Sequence, residues 1–343
     1  MGERAMRCYT VDGSGLDSLR VTERPDPGEP GPGDVLVDVH AVALNYRDLM
    51  VADGRYGGKL DPPIIACADM SGTVVKTGSG VTDLSTGDRV LNAPFRFWPG
   101  GMLRSEWART FVGGTGVDGV LAERIMYPAL SLVKVPKHLD FVEASTLTIA
   151  GLTAWSAVVT HGAVRPGEWV LLHGTGGVSI YGAQIAKRLG AHTLMTTSSA
   201  EKAEIVKERF GVDATLDYRS PDWPKEARKI TGGKGVDVVV EVAGGASLAQ
   251  SVLACASYGR IALIGVLGGA DCHVDVRQIL MRQVTIRGIL MESTQELRDL
   301  ARAMEVWQIK PCIDRVFPFV EARQAYEHLK SQKHIGKTVI QVR

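Results

Sequence analysis

The spacing of apolar positions changes character near residue 140. Before that point, short apolar or alternating runs at Val35 to Val42, Gly72 to Val75 and Arg89 to Leu91 predict strands. Proline and glycine punctuate them, as in Pro25-Asp-Pro-Gly-Glu-Pro-Gly-Pro-Gly33 and Gly78-Ser-Gly80. Ala93 to Gly119 has weak periodicity and predicts a long surface loop that borders a cleft. After residue 140, strand-like and helical segments alternate. Strands are expected at Trp169 to His173, His192 to Thr197, Ala214 to Asp217, Val236 to Val242, Arg260 to Val266 and Val284 to Ile289. Helices are expected at Gly177 to Leu189, Ala200 to Phe210, Trp223 to Thr231 and Ser247 to Ala254. Such alternation predicts an α/β unit with a parallel sheet covered on both faces. A strand-like Val316 to Phe319, a helix from Glu321 to Ser331 and a last strand from Gly336 to Val342 close the chain.

Within the alternating part, Trp169 to Leu172 reads as a buried strand and Gly174, Gly176 and Gly177 as a tight turn. Val178, Tyr181, Ile185 and Leu189 then recur at helical spacing up to Gly190. Strand, glycine turn and helix open a dinucleotide-binding unit. Gly174 permits the turn, Gly176 lets the backbone approach a pyrophosphate, and the helix start offers free N–H groups. Ser179 stands where the usual fingerprint has Gly or Ala. An ordinary strand-to-helix turn is the alternative for this stretch alone, and the surrounding strand and helix units favour the dinucleotide.

The 343 residues suit two domains, and the formal charge of +1 gives no reason to expect nucleic acid or an anionic membrane. Met1 to Thr22 is polar and interrupted, unlike a signal peptide, and no apolar run reaches ~20 residues. The five cysteines are scattered and form no Cys-x-x-Cys pair, which points to a reducing, cytoplasmic setting. No Gly-x-Ser-x-Gly elbow supports nucleophilic hydrolysis. His173, at the strand end before Gly174, reads as packing around the loop.

An NAD site usually ends its second strand in Asp or Glu, which accepts hydrogen bonds from the ribose hydroxyls. Here that strand runs into Thr196-Thr-Ser-Ser199. Hydroxyls of Thr197, Ser198 and Ser199, with Lys202, Tyr218 and Arg219 nearby, suit a 2′-phosphate, so NADP(H) is expected.

The chain resembles the medium-chain dehydrogenase/reductase superfamily. The resemblance rests on Leu44-Asn-Tyr-Arg-Asp-Leu49, Asp69-Met-Ser-Gly-Thr-Val-Val75, Val81-Thr-Asp-Leu-Ser-Thr-Gly-Asp-Arg-Val90, Ala144-Ser-Thr-Leu and Gly151-Leu-Thr-Ala154. It continues through His173-Gly-Thr-Gly-Gly-Val178, Asp217-Tyr-Arg219, Gly232-Gly-Lys-Gly-Val-Asp237, Arg260-Ile-Ala-Leu-Ile-Gly265 and Gly336-Lys-Thr-Val. It implies a GroES-like β-rich substrate domain (1–134 and 306–343) and a Rossmann domain (135–305), with the substrate in the cleft between them. It further implies cofactor contacts from Thr153, Gly174, Thr175, Gly176, Gly177, Val178, Val242, Ala243, Gly265, Val266 and Leu267.

Many members of that superfamily hold a catalytic zinc, which needs about three N, S or O protein ligands. The first family ligand falls in Asn45-Tyr-Arg-Asp48, the second at Ala68 beside Asp69 and the third at Ile149. None is a zinc ligand, and Cys67 beside the second position would act alone, so no metal is expected. The resemblance narrows to the zinc-free quinone oxidoreductase and enoyl reductase-like branch. It implies hydride transfer from NADPH to an enone, enoyl thioester or quinone. Tyr56 resembles the tyrosine that donates or orients the proton, and Asn45 the asparagine beside the nicotinamide. Tyr46 is either a second donor or cleft wall, and Asp48 and Asp69 read as structural acceptors. The alternatives are a zinc-independent carbonyl reductase or alcohol dehydrogenase, and a cofactor-binding protein with little turnover. A homodimer is implied, with the strand Thr285 to Ile289 near the sheet edge able to pair across a two-fold axis.

Overall fold

The computed structural model describes residues 5–114 and 116–343; residues 1–4, and Thr115 inside the expected 93–119 loop, lie outside the described residues. The chain divides into two compact units, Met1–Leu152 with Glu292–Arg343, and Thr153–Met291.

The second unit is built on a six-stranded parallel sheet. Its spatial order is Ala214–Leu216, His192–Thr196, Trp169–His173, Val236–Glu241, Cys255–Leu263 and Thr285–Gly288. Leu171 pairs with Leu194 on one side and Val239 on the other, so the first strand is central. That position explains its unbroken apolar run, because a central strand of a covered parallel sheet has no polar face. The helices Gly177–Arg188, Ala200–Phe210, Trp223–Ile230, Ala246–Ala254 and Val276–Arg282 pack on this sheet. Leu171, Leu194, Trp223, Val239, Val252 and Ile261 share one core. Strand order reverses between Trp169–His173 and Val236–Glu241, and ligands of doubly wound sheets bind at the carboxyl ends beside such a reversal.

The first unit holds two sheets. The larger runs Ile313–Pro318, Lys337–Gln341, Asp34–Ala43, Asp69–Thr77, Arg89–Asn92 and Leu132–Lys134, with Arg124–Pro128 also paired to Asp34–Ala43. The smaller joins Arg20–Pro25, Ala5–Val11 and Ile64–Ile65. The last strand does return to the first unit, with Val339 against Ala43 and Ile340 against Val42.

Two expectations need correction here. The division falls at 152/153 and 291/292, not at 134/135 and 305/306. Phe141–Ser145 packs on the first unit's larger sheet, and Thr294–Trp307 packs on its Leu132–Lys134 strand. The start of that helix is bonded to the same unit, Thr294 N–H donating to the Trp98 carbonyl at 3.0 Å. Nor is Ala93 to Gly119 a simple surface loop. Phe95, Trp98 and Phe111 are buried, Phe95 and Phe111 form a β-bridge with stacked rings 4.9 Å apart, and Ser105–Ala108 is a short helix. Burial of three aromatic rings repays the ordering of a segment that has no hydrophobic period.

Candidate functional site

In the second unit the expected cofactor residues gather along the carboxyl edge of the sheet. Gly174 follows the first strand at φ +70°, and its N–H donates to the Thr196 carbonyl at 2.9 Å. Thr175 is buried, Gly176 caps the Gly177–Arg188 helix, and Val178 lies in its first turn. A Cβ on Gly174 or Gly176 would meet nothing within 4 Å. Open space therefore lies beside the backbone at a helix N-terminus of positive polarity. Ser179, the departure from the usual fingerprint, is buried and donates its hydroxyl to the His173 carbonyl at 2.6 Å. It ties the helix start to the strand end.

Two neighbouring strand ends meet beside this turn. Val242 and Ala243 follow Val236–Glu241, and Gly265, Val266 and Leu267 follow Cys255–Leu263. A Cβ on Gly265 would stand 2.2 Å from the Val242 carbonyl oxygen, so only glycine allows this approach. Val266 and Leu267 are exposed. Beneath them Glu241 is fully buried. Its carboxylate accepts from Ala243 N–H (2.9 Å), Gly244 N–H (3.0 Å) and the Ser247 and Ser251 hydroxyls (3.1 and 2.5 Å). His173 Nε2 lies 3.2 Å from it, and the ring also bonds Thr196 and Ser251. Burial pushes the Glu241 carboxyl up, but His173, Ser251 and the Gly244 N–H outweigh it and hold it at about 2. Glu241 and His173 thus lock three strand ends together, and the expected role of His173 as packing gains a bonded partner set.

The second strand ends without a carboxylate. Ser199 caps Ala200–Phe210 by accepting from Lys202 N–H at 3.2 Å. Thr197 Oγ1 accepts from Ser199 N–H, and Ser198 Oγ accepts from the Tyr218 hydroxyl at 3.1 Å. Tyr218 is exposed. Arg219 is committed to Asp217 at 2.6 Å, so its charge is not the free cation that the sequence suggested. Thr153 is buried in the helix Leu152–Trp155 that opens the unit; the hydrogen bonds described for the strand ends do not include it.

In the first unit Asn45 precedes the helix Tyr46–Ala52, and its N–H donates to Asp48 Oδ2 at 2.8 Å, which starts that helix. Lys337, in the closing Gly-Lys-Thr-Val motif, lies buried beneath it. Its Nζ donates to the Leu44 carbonyl at 2.5 Å and to Asn45 Oδ1 at 2.7 Å. An ammonium only donates, so it fixes the Asn45 amide oxygen toward Lys337 and turns the amide N–H toward the Asp69 carboxyl, which that contact helps to lower. Burial depresses the lysine, and the nearby Asp69 and Asp48 carboxylates oppose that. Asp69 accepts from Ile149 N–H at 3.2 Å; burial raises it to about 7 against the pull of Lys337. Burial raises Asp48 as well, against Arg47.

Tyr46 lies at the helix start, where its hydroxyl accepts from Arg55 Nη1 at 3.3 Å. Tyr56 is half-buried, with its ring edge-on to Phe111 at 6.3 Å and under the Arg47 guanidinium at 4.8 Å. The structure gathers Asn45, Asp48, Asp69 and Lys337 in one cluster, and Tyr56 with Arg47 and Phe111 beside that helix. Sequence reasoning missed Lys337, Arg47 and Phe111 as site residues. The closing Gly336-Lys-Thr-Val motif was the available signal for the first.

The donor set does not fit a zinc. The expected ligand positions, in Asn45 to Asp48, at Ala68 and at Ile149, hold no Cys or His, an ammonium already holds the polar pocket, and no group of three His, Cys, Asp or Glu among the described residues could hold a metal ion. Among the described residues no helix is long and apolar enough to cross a membrane.

Residues 31–137 match the alcohol dehydrogenase GroES-like domain family, and residues 177–305 match the zinc-binding dehydrogenase family. A zinc-type alcohol dehydrogenase-like protein of Schizosaccharomyces pombe is 37% identical over 96% of both chains. The chain belongs to the medium-chain dehydrogenase/reductase superfamily. A solved NAD-dependent alcohol dehydrogenase is 35% identical, superposes with a TM-score of 0.88, and is covered in full by 98% of this chain. A 2-haloacrylate reductase of Burkholderia is 29% identical over 93% of this chain and 94% of its own. Superfamily membership makes the protein an oxidoreductase of a family that binds a nicotinamide cofactor, and it assigns the two units their GroES-like and Rossmann folds.

Proposed function

We propose that this protein is an NADP(H)-dependent oxidoreductase that reduces an activated C=C bond or a quinone without zinc. The observation that carries the reading is the buried Lys337 ammonium bonded to Asn45, in a pocket whose family ligand positions hold no zinc ligand. The bound nicotinamide would supply a hydride. A polarised C=C or quinone needs only hydrogen-bond help to the oxygen that gains charge; Asn45, its amide held by Lys337, would lie beside the nicotinamide. Tyr56 holds the proton that completes the reduction. Gly174, Thr175, Gly176, Gly177 and Val178 would receive the pyrophosphate. Thr197, Ser198, Ser199, Lys202 and Tyr218 would receive the 2′-phosphate, since no carboxylate repels it there. Thr153, Val242, Ala243, Gly265, Val266 and Leu267 remain proposed contacts of the nicotinamide half. The 2-haloacrylate reductase supports C=C reduction and the alcohol dehydrogenase relatives support C=O reduction.

Purified protein mixed with NADPH and a panel of enones and quinones should consume the reduced-nicotinamide absorbance. Recovery of the saturated ketone supports the reading, and recovery of the allylic alcohol supports a carbonyl reductase. Tight NADPH binding with no turnover across the panel sinks it in favour of a binding role. The edge strand Thr285–Gly288, with exposed Val276, Leu280 and Met281 on the preceding helix, fits pairing with a second copy of the chain, so light scattering should give a dimer mass.

A further inference from the structure

We infer that Arg47 is the positioning residue of Tyr56, and that its buried cation holds the proposed proton donor in place. The inference rests on the reductase reading above and adds a residue to its machinery. The Arg47 side chain is only 11% exposed. Nε, Nη1 and Nη2 are all buried, and none has a hydrogen-bond partner among the described residues. The main chain closes off Nη2 at Gly114, where a Cβ would stand 2.3 Å away. Asp48 Oδ1 is 3.9 Å from Nη1, beyond hydrogen-bond reach. A buried charged donor left unserved is costly, so such a group in a native fold calls for an explanation. With its edge enclosed, the guanidinium acts on the rings beside it. Its carbon lies 3.7 Å from the centre of the Phe111 ring and 4.8 Å from that of Tyr56. The two ring centres are 6.3 Å apart and their planes stand at 76°, so the cation fills the corner between them. The ring quadrupole attracts a cation placed over it, and the attraction grows where water is excluded.

Tyr56 has little else to hold its ring. It stands between Gly54 and the pair Gly57 and Gly58, all three at positive φ (69°, 93° and 78°), where the chain itself restrains a neighbour least. The Arg55 and Tyr56 N–H groups donate to the Met50 carbonyl at 2.8 and 3.2 Å. Those bonds place the main chain of the turn and leave the ring free to swing. Tyr56 is half-buried, and its hydroxyl meets no hydrogen-bond partner among the described residues. The direction of the ring therefore comes from Arg47 and Phe111. Phe111 is a firm base, buried and stacked on Phe95 at 4.9 Å. A row of contacts thus runs from Phe95 and Phe111 through the cation to the tyrosine of the turn. Gly114 belongs to it, because an alanine there would push the guanidinium off the rings. In the proposed reduction, hydride forms a C–H bond at one carbon of the C=C, and the Tyr56 O–H bond breaks to give the other carbon its proton. The C=C gains the two electrons that NADPH gives up, and water returns a proton to the phenolate. A displaced ring slows that proton step and leaves cofactor binding as it was.

The test uses the full-length protein with Arg47→Met, Arg47→Lys or Gly114→Ala, each also combined with Tyr56→Phe, which keeps the ring and removes the proton. With NADPH and an enone that the wild type reduces, Arg47→Met should lower kcat about tenfold with KM for NADPH unchanged, a part of the roughly 10²–10⁴ that a positioned acid contributes. Arg47→Lys should restore part of the rate, and Gly114→Ala should lower it. In the Tyr56→Phe background the cost of Arg47→Met should shrink below about twofold, because the residue acts through the hydroxyl already lost. An equal cost in both backgrounds, or a wild-type kcat in Arg47→Met, overturns the inference. A second readout needs no cofactor. Trypsin should cut after Arg55 and Lys59 about threefold faster in Arg47→Met and Gly114→Ala than in the wild type, with cleavage after Lys225 and Lys229 unchanged. Equal rates at Arg55 and Lys59 overturn the inference as well. Should the wild type reduce neither enone nor quinone, the reductase reading fails by itself, and the trypsin rates alone decide whether Arg47 holds Tyr56. Should Arg47→Met not fold, by circular dichroism, Arg47→Lys and Gly114→Ala carry both comparisons.

Discussion

Glu241→Gln keeps the shape of the side chain and removes its charge. The carboxyl is held at about 2 in the fold against an ordinary value of 4.5. At about 1.4 kcal/mol per tenfold in proton affinity, that gap corresponds to roughly 3 kcal/mol of stability at neutral pH. The contact set supports a figure of this size. Two N–H groups and two hydroxyls serve a fully buried carboxylate, and hydrogen bonds to charged groups contribute a net of about 1.5–3 kcal/mol each, against which the burial that raises the carboxyl is set. A depressed carboxyl stabilises the fold above its unfolded value and loses that contribution as pH falls from about 4.5 to about 2. At pH 3 less than half of it should remain. Glu241→Gln should therefore lower the unfolding temperature at pH 7 by roughly 10 °C for a unit of this size. By pH 3 the difference between variant and wild type should shrink to less than half. NADPH affinity should fall with it, because Ala243 and Gly244 lose the acceptor that shapes their turn. Circular dichroism melts at the two pH values, with fluorescence titration of NADPH, read both effects. A variant that melts with the wild type at pH 7, or a difference as large at pH 3 as at pH 7, would refute the assignment of Glu241 as the charged lock of the strand ends.

Asp69→Asn should act with the opposite pH sign. A carboxyl raised to about 7 in the fold binds a proton that the unfolded chain has already released, so wild-type stability falls as pH rises from about 4 toward 7. The asparagine variant should lose less in unfolding temperature than the wild type between pH 5 and pH 7, by a few °C; parallel losses would remove Asp69 as the cause. Ser199→Asp keeps a good helix cap and places a carboxylate where the 2′-phosphate is proposed to sit. The ratio of kcat/KM with NADPH to that with NADH should fall at least tenfold, and an unchanged ratio would show that this strand end does not choose the cofactor.

The second unit was legible because its signals are local. Trp169–His173, Ala200–Phe210 and the turn between Gly174 and Gly177 stand where apolar period, caps and glycines put them. Thr294–Trp307 carried equally plain signals and went unplaced. Ser293 caps it, and Leu297, Leu300, Ala301 and Met304 are buried at helical spacing. The first unit's cluster was not legible for a physical reason. Lys337 and Asn45 are 292 positions apart, and only sheet pairing of the last strand with Asp34–Ala43 brings the ammonium beneath the amide. Arg47 stood inside a quoted motif, but its ring partners come from Phe111, in a segment without period, and from Tyr56 after the helix.

Charge arithmetic joins the first unit's cluster to its proposed chemistry. Two cations, Arg47 and Lys337, are buried near two carboxylates, Asp48 and Asp69. At 4 Å and an effective dielectric near 20, two unit charges interact by about 4 kcal/mol, so a divalent ion beside the ammonium would meet about 8 kcal/mol of repulsion. A metal could enter only if Lys337 gave up its proton or its place, and either change strips Asn45 Oδ1 of its donor. Two cations and two carboxylates balance formally, and burial opposes the charged form of Lys337 as it does that of both carboxyls. Lys337 is committed to the Leu44 carbonyl and to Asn45, so it cannot turn to a ligand without stripping both of their donor.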